Sequence, residues 1–190
     1  MVARRSALEG HLGPGRRGLD VPEPGVRLSE RRAGALWQVT AWPDRLGDAG
    51  AAAAAEAGVE AAPGPLRAAF GDGAVLMRTE PLRWLIVAEA EMAAPALDAE
   101  VGTLLDLGHA RTILQIEGPE ARALMARLAP LDFRPDAFPE GTVATSAVHH
   151  VAVTMLARGD GFDLLCFRSF GLALFEHVAE IAGQFGLEVA

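Results

Sequence analysis

The sequence predicts an α+β fold of two ferredoxin-like (split βαβ) halves, each a sheet covered by two helices. Three observations carry this expectation. The second half reads strand, helix, two hairpin strands, helix, and the first half repeats that order more loosely. Apolar residues make up 51% of the 190, enough for a real core and too many for a chain disordered throughout. Every apolar stretch is cut by charge, Pro or Gly before the roughly 18 residues that a membrane-spanning helix needs, so no membrane role is expected.

Residues 1–25 are rich in Gly, Pro and Arg and show no period. They read as an arm, either extended and ordered on a partner or simply a frayed terminus. Residues 1–32 hold seven Arg against four acids, whereas 43–110 hold four against eleven. The arm is therefore mildly basic on an acidic body. Residues 26–190 read as one domain with sub-halves at about 26–100 and 101–190. Ala35 to Trp42 is a strand. Pro43 suits a first helical position, and Asp44 to Gly58 is an Ala-rich helix that Gly58 stops. Strands follow over 73–78 and 83–87, then a helix from Met92 to Glu100, then an apolar stretch from Val101 to Leu107.

Arg111 to Glu117 is a strand with Thr112, Leu114 and Ile116 on one face. Gly118-Pro119-Glu120 opens a helix whose Ala121, Leu124, Met125 and Leu128 form one stripe at i, i+3, i+4 and i+7. Pro130 stops it, and 132–142 is a loop. Ala147 to Leu156 is a strand, Gly159-Asp160-Gly161 a hairpin turn, and Phe162 to Phe167 the returning strand. Ser169 caps a last helix that buries Leu174, Phe175, Val178, Ile181, Ala182 and Phe185.

Composition excludes several chemistries. All 17 basic residues are Arg, so no Lys is present to form a Schiff base or to serve a phosphate-binding loop. A net charge of −8 argues against nucleic acid as a partner. The single cysteine, Cys166, cannot form an internal bridge, and no basic-then-apolar leader opens the chain; both lead to the expectation of a cytoplasmic protein. Cys166 sits mid-strand among apolar residues, where an inert buried thiol is expected. His149 and His150 are adjacent on a strand, so they point to opposite faces and cannot share a metal from there. The four serines lie in no G-x-S-x-G, and no G-x-G-x-x-G follows a strand. The expected site is therefore empty of chemistry: no catalytic, cofactor-binding or metal-binding residue is expected. A chain with a good core and no assembled chemistry reads as a subunit.

One resemblance sharpens this. Asp106-Leu107-Gly108-His109-Ala110-Arg111, then Ile116-Glu117-Gly118-Pro119-Glu120-Ala121 and the helix through Leu128, resemble the glycine-cleavage T-protein (aminomethyltransferase-like) superfamily. Within it, Pro130-Leu131-Asp132-Phe133, Phe138-Pro139-x-Gly141, Phe162-Asp163-Leu164, Arg168-Ser169-Phe170 and Pro81-Leu82-Arg83-Trp84-Leu85 are similar to the gamma subunits of heterotetrameric sarcosine oxidases, as is the opening Arg5-Ser6-Ala7-Leu8. The resemblance covers most of the chain, strongly over 101–176. It implies a cytoplasmic complex of alpha, beta, gamma and delta chains that oxidatively demethylates sarcosine or a related N-methyl amino acid. It implies FAD, FMN, NAD and tetrahydrofolate in the partner subunits and no cofactor on this chain.

Two positions depart from the pattern. Gly108 stands where the family carries Ser. His149-His150 fall where the transferase branch carries an Asp-Asp pair, and a neutral imidazole cannot supply the negative charge that the transfer requires. The chain is therefore expected to be a structural subunit packing mainly on the alpha chain. Arg4, Arg5, Arg16, Arg17, Arg111, Arg168 and Phe170 are the interface candidates, with solvated Arg or core Phe as the plainer reading of each. The alternative is a free-standing folate-binding or aminomethyltransferase-like one-carbon enzyme, for which Asp106 or Asp163 would be the pocket carboxylate.

Overall fold

The computed structural model describes residues 5–190. Its elements in chain order are β1 (Gly15–Arg17), β2 (Val26–Glu30), β3 (Ala35–Ala41), α1 (Leu46–Ala57), β4 (Ala68–Phe70), β5 (Ala74–Glu80), β6 (Arg83–Ala88) and β7 (Gly102–Asp106). Then come β8 (Arg111–Glu117), α2 (Ala121–Leu128), β9 (Val143–Val148), β10 (Val151–Arg158), β11 (Gly161–Phe167), α3 (Gly171–Ala182) and β12 (Leu187–Val189). They build two compact units. One takes in residues 5–31, 110–140 and 145–190, the other 32–109 and 141–144.

The first unit holds a seven-stranded sheet in the order β1-β12-β2-β8-β11-β10-β9. The strands β8, β10, β11 and β12 with α2 and α3 make a split βαβ layer, into which β2 is inserted. β2 runs antiparallel to β8, pairing Leu28 with Ile116, and parallel to β12, pairing Val26 with Leu187. The stripe read from sequence is the buried face of α2: Ala121, Leu124, Met125 and Leu128 are all at most 5% exposed. Leu174, Phe175, Val178 and Ala182 of α3 are likewise buried. The loop after α2 is ordered by its own aromatics. Phe133, Phe138 and Phe162 form a ring trio with centroids 5.0, 5.6 and 6.0 Å apart. Arg122 lies over the Phe162 ring and donates to the carbonyls of Phe133 and Phe138 at 2.7 and 3.1 Å.

The second unit holds a five-stranded sheet in the order β4-β5-β6-β3-β7, with antiparallel neighbours throughout. Helix α1 lays Ala49, Gly50, Ala53, Ala54 and Ala57 over Val39, Leu76, Trp84 and Ile86. These small side chains let the helix sit close. A Cβ on Gly50 would lie 3.4 Å from Cζ2 of Trp84. Gly58 ends the helix in the left-handed region at φ 65°, its N–H bonding back to Ala55.

Several expectations are corrected. No helix forms over 92–100, because Pro95 stands in its middle. The segment instead bonds through Ala96 N–H to Glu56 at 3.1 Å. The strand expected over 147–156 is two strands, β9 and β10, with His149 and His150 as the turn between them. Ser169 makes no cap; a 3-10 turn, Arg168–Phe170, leads into α3. The expected halves, 26–100 and 101–190, cut across the sheets: β2 belongs with 110–190, and β7 belongs with β3. The expected arm is paired within the fold over its described part. Leu8 is fully buried, Ser6 Oγ donates to Glu30 at 2.6 Å, and β1 pairs with β12. Gly18, at φ +79°, brings the chain against Gly183, whose carbonyl accepts from Leu19 at 2.8 Å.

A buried ion pair lies in the first unit. Asp163 on β11 is 1% exposed and accepts from Arg31 Nη1 at 2.6 Å, with Arg158 at 4.0 Å. Breaking such a pair by removing one member typically costs about 3–5 kcal/mol. Burial holds the Asp163 carboxyl above its ordinary value of 3.8, while the two guanidinium groups pull against it.

Two outcomes follow from these contacts. A Cβ at Gly18 would meet the Gly183 carbonyl oxygen at 2.1 Å, so Gly18→Val is expected to release β1 from β12, at a cost of about 1–3 kcal/mol. Limited proteolysis should then cut within 12–22, and an arm as resistant as wild type would contradict this. Asp163 binds its proton more tightly folded than unfolded, so its contribution to stability falls as pH rises from 3.8 through the raised folded value. Denaturant melts of wild type and Asp163→Asn across that window should show the wild-type advantage shrinking as pH rises.

Candidate functional site

The interface candidates divide into two groups, and Arg4 lies outside the described residues. Arg16 and Arg17 lie on β1, at the sheet edge. Arg16 donates to the Pro22 carbonyl at 3.0 Å and Arg17 to the Gly13 carbonyl at 2.5 Å. Arg17 also lies 5.9 Å from the Phe175 ring centroid. Arg16 therefore ties the arm to itself, and Arg17 ties it to itself and to α3.

Arg5, Arg111, Arg168 and Phe170 come together at the other group. Arg111 opens β8 opposite Phe167, the last residue of β11. Its guanidinium lies 4.0 Å over the Phe167 ring. The chain then turns through Arg168–Phe170. Arg168 N–H bonds to the Ala110 carbonyl at 2.9 Å, and its Nη1 donates to the Arg5 carbonyl. Phe167 and Phe170 stay 50% and 46% exposed. Phe167 was not among the sequence candidates. Alternation gives no signal for it, because Gly161 to Cys166 are all buried and exposure begins only at the strand's last residue.

The histidines differ from their sequence reading. In a two-residue turn, side chains need not point apart as they do on a strand. His149 takes φ +54°, a conformation rare outside Gly. Its ring lies 3.9 Å from that of His150 and stacks at 4.8 Å and 27° on His177 of α3. Stacked faces do not converge their nitrogens on one point. Among the described residues no three His, Cys, Asp or Glu side chains are placed to hold a metal ion.

The two carboxylates named for a pocket are otherwise engaged. Asp163 is in the buried ion pair, and Asp106 Oδ1 accepts from Gly108 N–H at 2.8 Å, closing a local turn. A cavity of about 590 Å³ runs beside α1, lined by Ala51, Ala54, Val59, Pro63, Arg78 and Trp84. Another of about 410 Å³ lies by Arg17, Phe175 and Glu176. Neither Asp106 nor Asp163 lines either cavity. Cys166 is 1% exposed, and burial pushes its thiol up to about 11, so it is a poor nucleophile. No helix among the described residues is long and apolar enough to cross a membrane.

Comparison with known proteins points one way. No family model matches the chain. It is 32% identical over 123 residues to sarcosine oxidase subunit gamma of Corynebacterium sp. strain U-96, an alignment spanning 62% of this chain and 60% of that protein. The same subunit of strain P-1 is 31% identical over 121 residues, 60% of each. Among solved structures, a chain of the heterotetrameric sarcosine oxidase from Corynebacterium sp. U-96, in complex with pyrrole 2-carboxylate, matches with a TM-score of 0.79 and 26% identity, covering 96% of both chains. The glycine cleavage system aminomethyltransferase T from Bartonella henselae shares the fold, at a TM-score of 0.58 and 18% identity over 97% of this chain and 50% of that one. The resemblance read from the motifs is thus matched in sequence and in fold.

The Cys166 thiol should resist a maleimide in the folded chain and react stoichiometrically once denaturant unfolds it. Fast labelling of the native protein would contradict its burial.

Proposed function

We propose that this chain is a gamma-type structural subunit of a heterotetrameric sarcosine oxidase-type complex. The observation that carries the reading is the end-to-end match, 96% of each chain, to a component of such an assembly. The complex would oxidise the N-methyl group of sarcosine, or of a related N-methyl amino acid, and release the demethylated amino acid. Alpha, beta and delta subunits would be its partners in the cytoplasm. FAD, FMN, NAD and tetrahydrofolate would be bound by those partners, with one-carbon transfer to folate occurring there.

This chain's own role would be packing, mainly on the alpha chain, and not chemistry. Its thiol is buried, its Asp163 is committed to Arg31, and its paired histidines occupy a turn. It has no lysine. None of these groups supplies a base or nucleophile at an open pocket. The free-standing transferase reading rests on fold likeness alone, since the aminomethyltransferase match is 18% identical.

Affinity purification of the chain from its native cells, followed by mass spectrometry, should recover three companion chains carrying flavin. The isolated chain should turn over no N-methyl amino acid. Turnover by the lone chain, or its recovery as a monomer without companions, would refute the proposal.

A further inference from the structure

We infer that Arg111, Phe167, Arg168 and Phe170 form a shelf that docks a partner-subunit segment presenting carboxylates beside apolar side chains; this rests on the subunit reading above. Two phenyl rings half in water within four residues are an unusual exposure, and buried aromatic–arginine clusters are the compositional mark of interface centres.

The shelf is also pre-ordered. The Phe167 ring is covered on one face by the Arg111 guanidinium at 4.0 Å. The turn that carries Phe170 is pinned by Arg168 N–H to Ala110, and the arm is clipped to it through the Arg5 carbonyl. Side chains already held in place lose little freedom on binding.

Charge selects the occupant. Arg111 and Arg168 bring two guanidinium groups to the shelf, on a chain of net charge −8. A cationic shelf on an anionic chain complements an acidic surface. The same shelf on a second copy does not fit, because a two-fold contact would set arginine against arginine.

The test is assembly. Wild type, the double variant Phe167→Ser/Phe170→Ser and the double variant Arg111→Glu/Arg168→Glu are each co-expressed with the other subunits of the complex, and dissociation is followed by mass photometry. Each variant should raise the dissociation constant at least about tenfold. Raising salt from about 0.05 to 0.5 M should weaken the wild-type complex more than the complex of the Arg111→Glu/Arg168→Glu variant. Variants that assemble as wild type would overturn the shelf and leave the subunit reading standing, whereas a wild-type chain that joins no companion would overturn both. A self-dimer abolished by the variants would make the occupant a second copy and overturn the inference. If a variant misfolds, hydroxyl-radical footprinting of wild type decides: Phe167 and Phe170 should be protected in the complex, and equal oxidation free and bound would overturn the proposal.

Discussion

The insertion of β2 between β8 and β12 is the constraint on which the first unit turns. A strand from the N-terminal end supplies ladder bonds to both neighbours, antiparallel on one side and parallel on the other. The chain leaves β2 at Arg31, whose guanidinium reaches the buried Asp163 carboxylate on β11, two strands away in the sheet. One Asp163 oxygen is bonded there, and Oδ1 has no hydrogen-bond partner among the described residues. Desolvation therefore outweighs attraction, which is why burial dominates this carboxyl's titration.

The strand on the far side of β2 also needs a partner. β12 has an outer edge, and β1 covers it. Covering that edge requires the arm to come back along the sheet, and Gly18 permits the close pass over Gly183. The described arm is thus a structural strap. Its far end reaches the Arg168 turn, where Arg168 Nη1 donates to the Arg5 carbonyl.

A fold shared with an aminomethyltransferase does not carry that enzyme's chemistry with it. Three side chains weighed for chemistry have structural partners here: Asp163 an ion pair, Asp106 a turn and Cys166 the core. His149 and His150 occupy a hairpin whose backbone asks for a conformation most residues avoid. At the Arg168 turn the side chains left facing outward are aromatic and cationic, a composition that suits recognition.

Much of this was legible in the residues. The α2 stripe, the β10–β11 hairpin, the stop at Gly58 and the motif order that identified the relatives are all local, written in periods of two or 3.6 and in turn chemistry. The differences are local as well where one residue overrides the pattern, as Pro95 does in the expected helix over 92–100. His149-His150 were misplaced because a two-residue turn lacking Gly or Asn sends no signal. The pairing of Val26 with Leu187, the ion pair of Arg27 with Glu188, the contact of Arg111 with Phe167 and the bond from Arg168 to Arg5 join residues remote in the chain. The sequence by itself determined the class of fold and most of its elements, because periodicity and turn residues act over a few positions. Only the tertiary structure decided which strands are neighbours and which surface is left open, because those depend on pairing partners at opposite ends of the chain, as Gly15 and Val189 are.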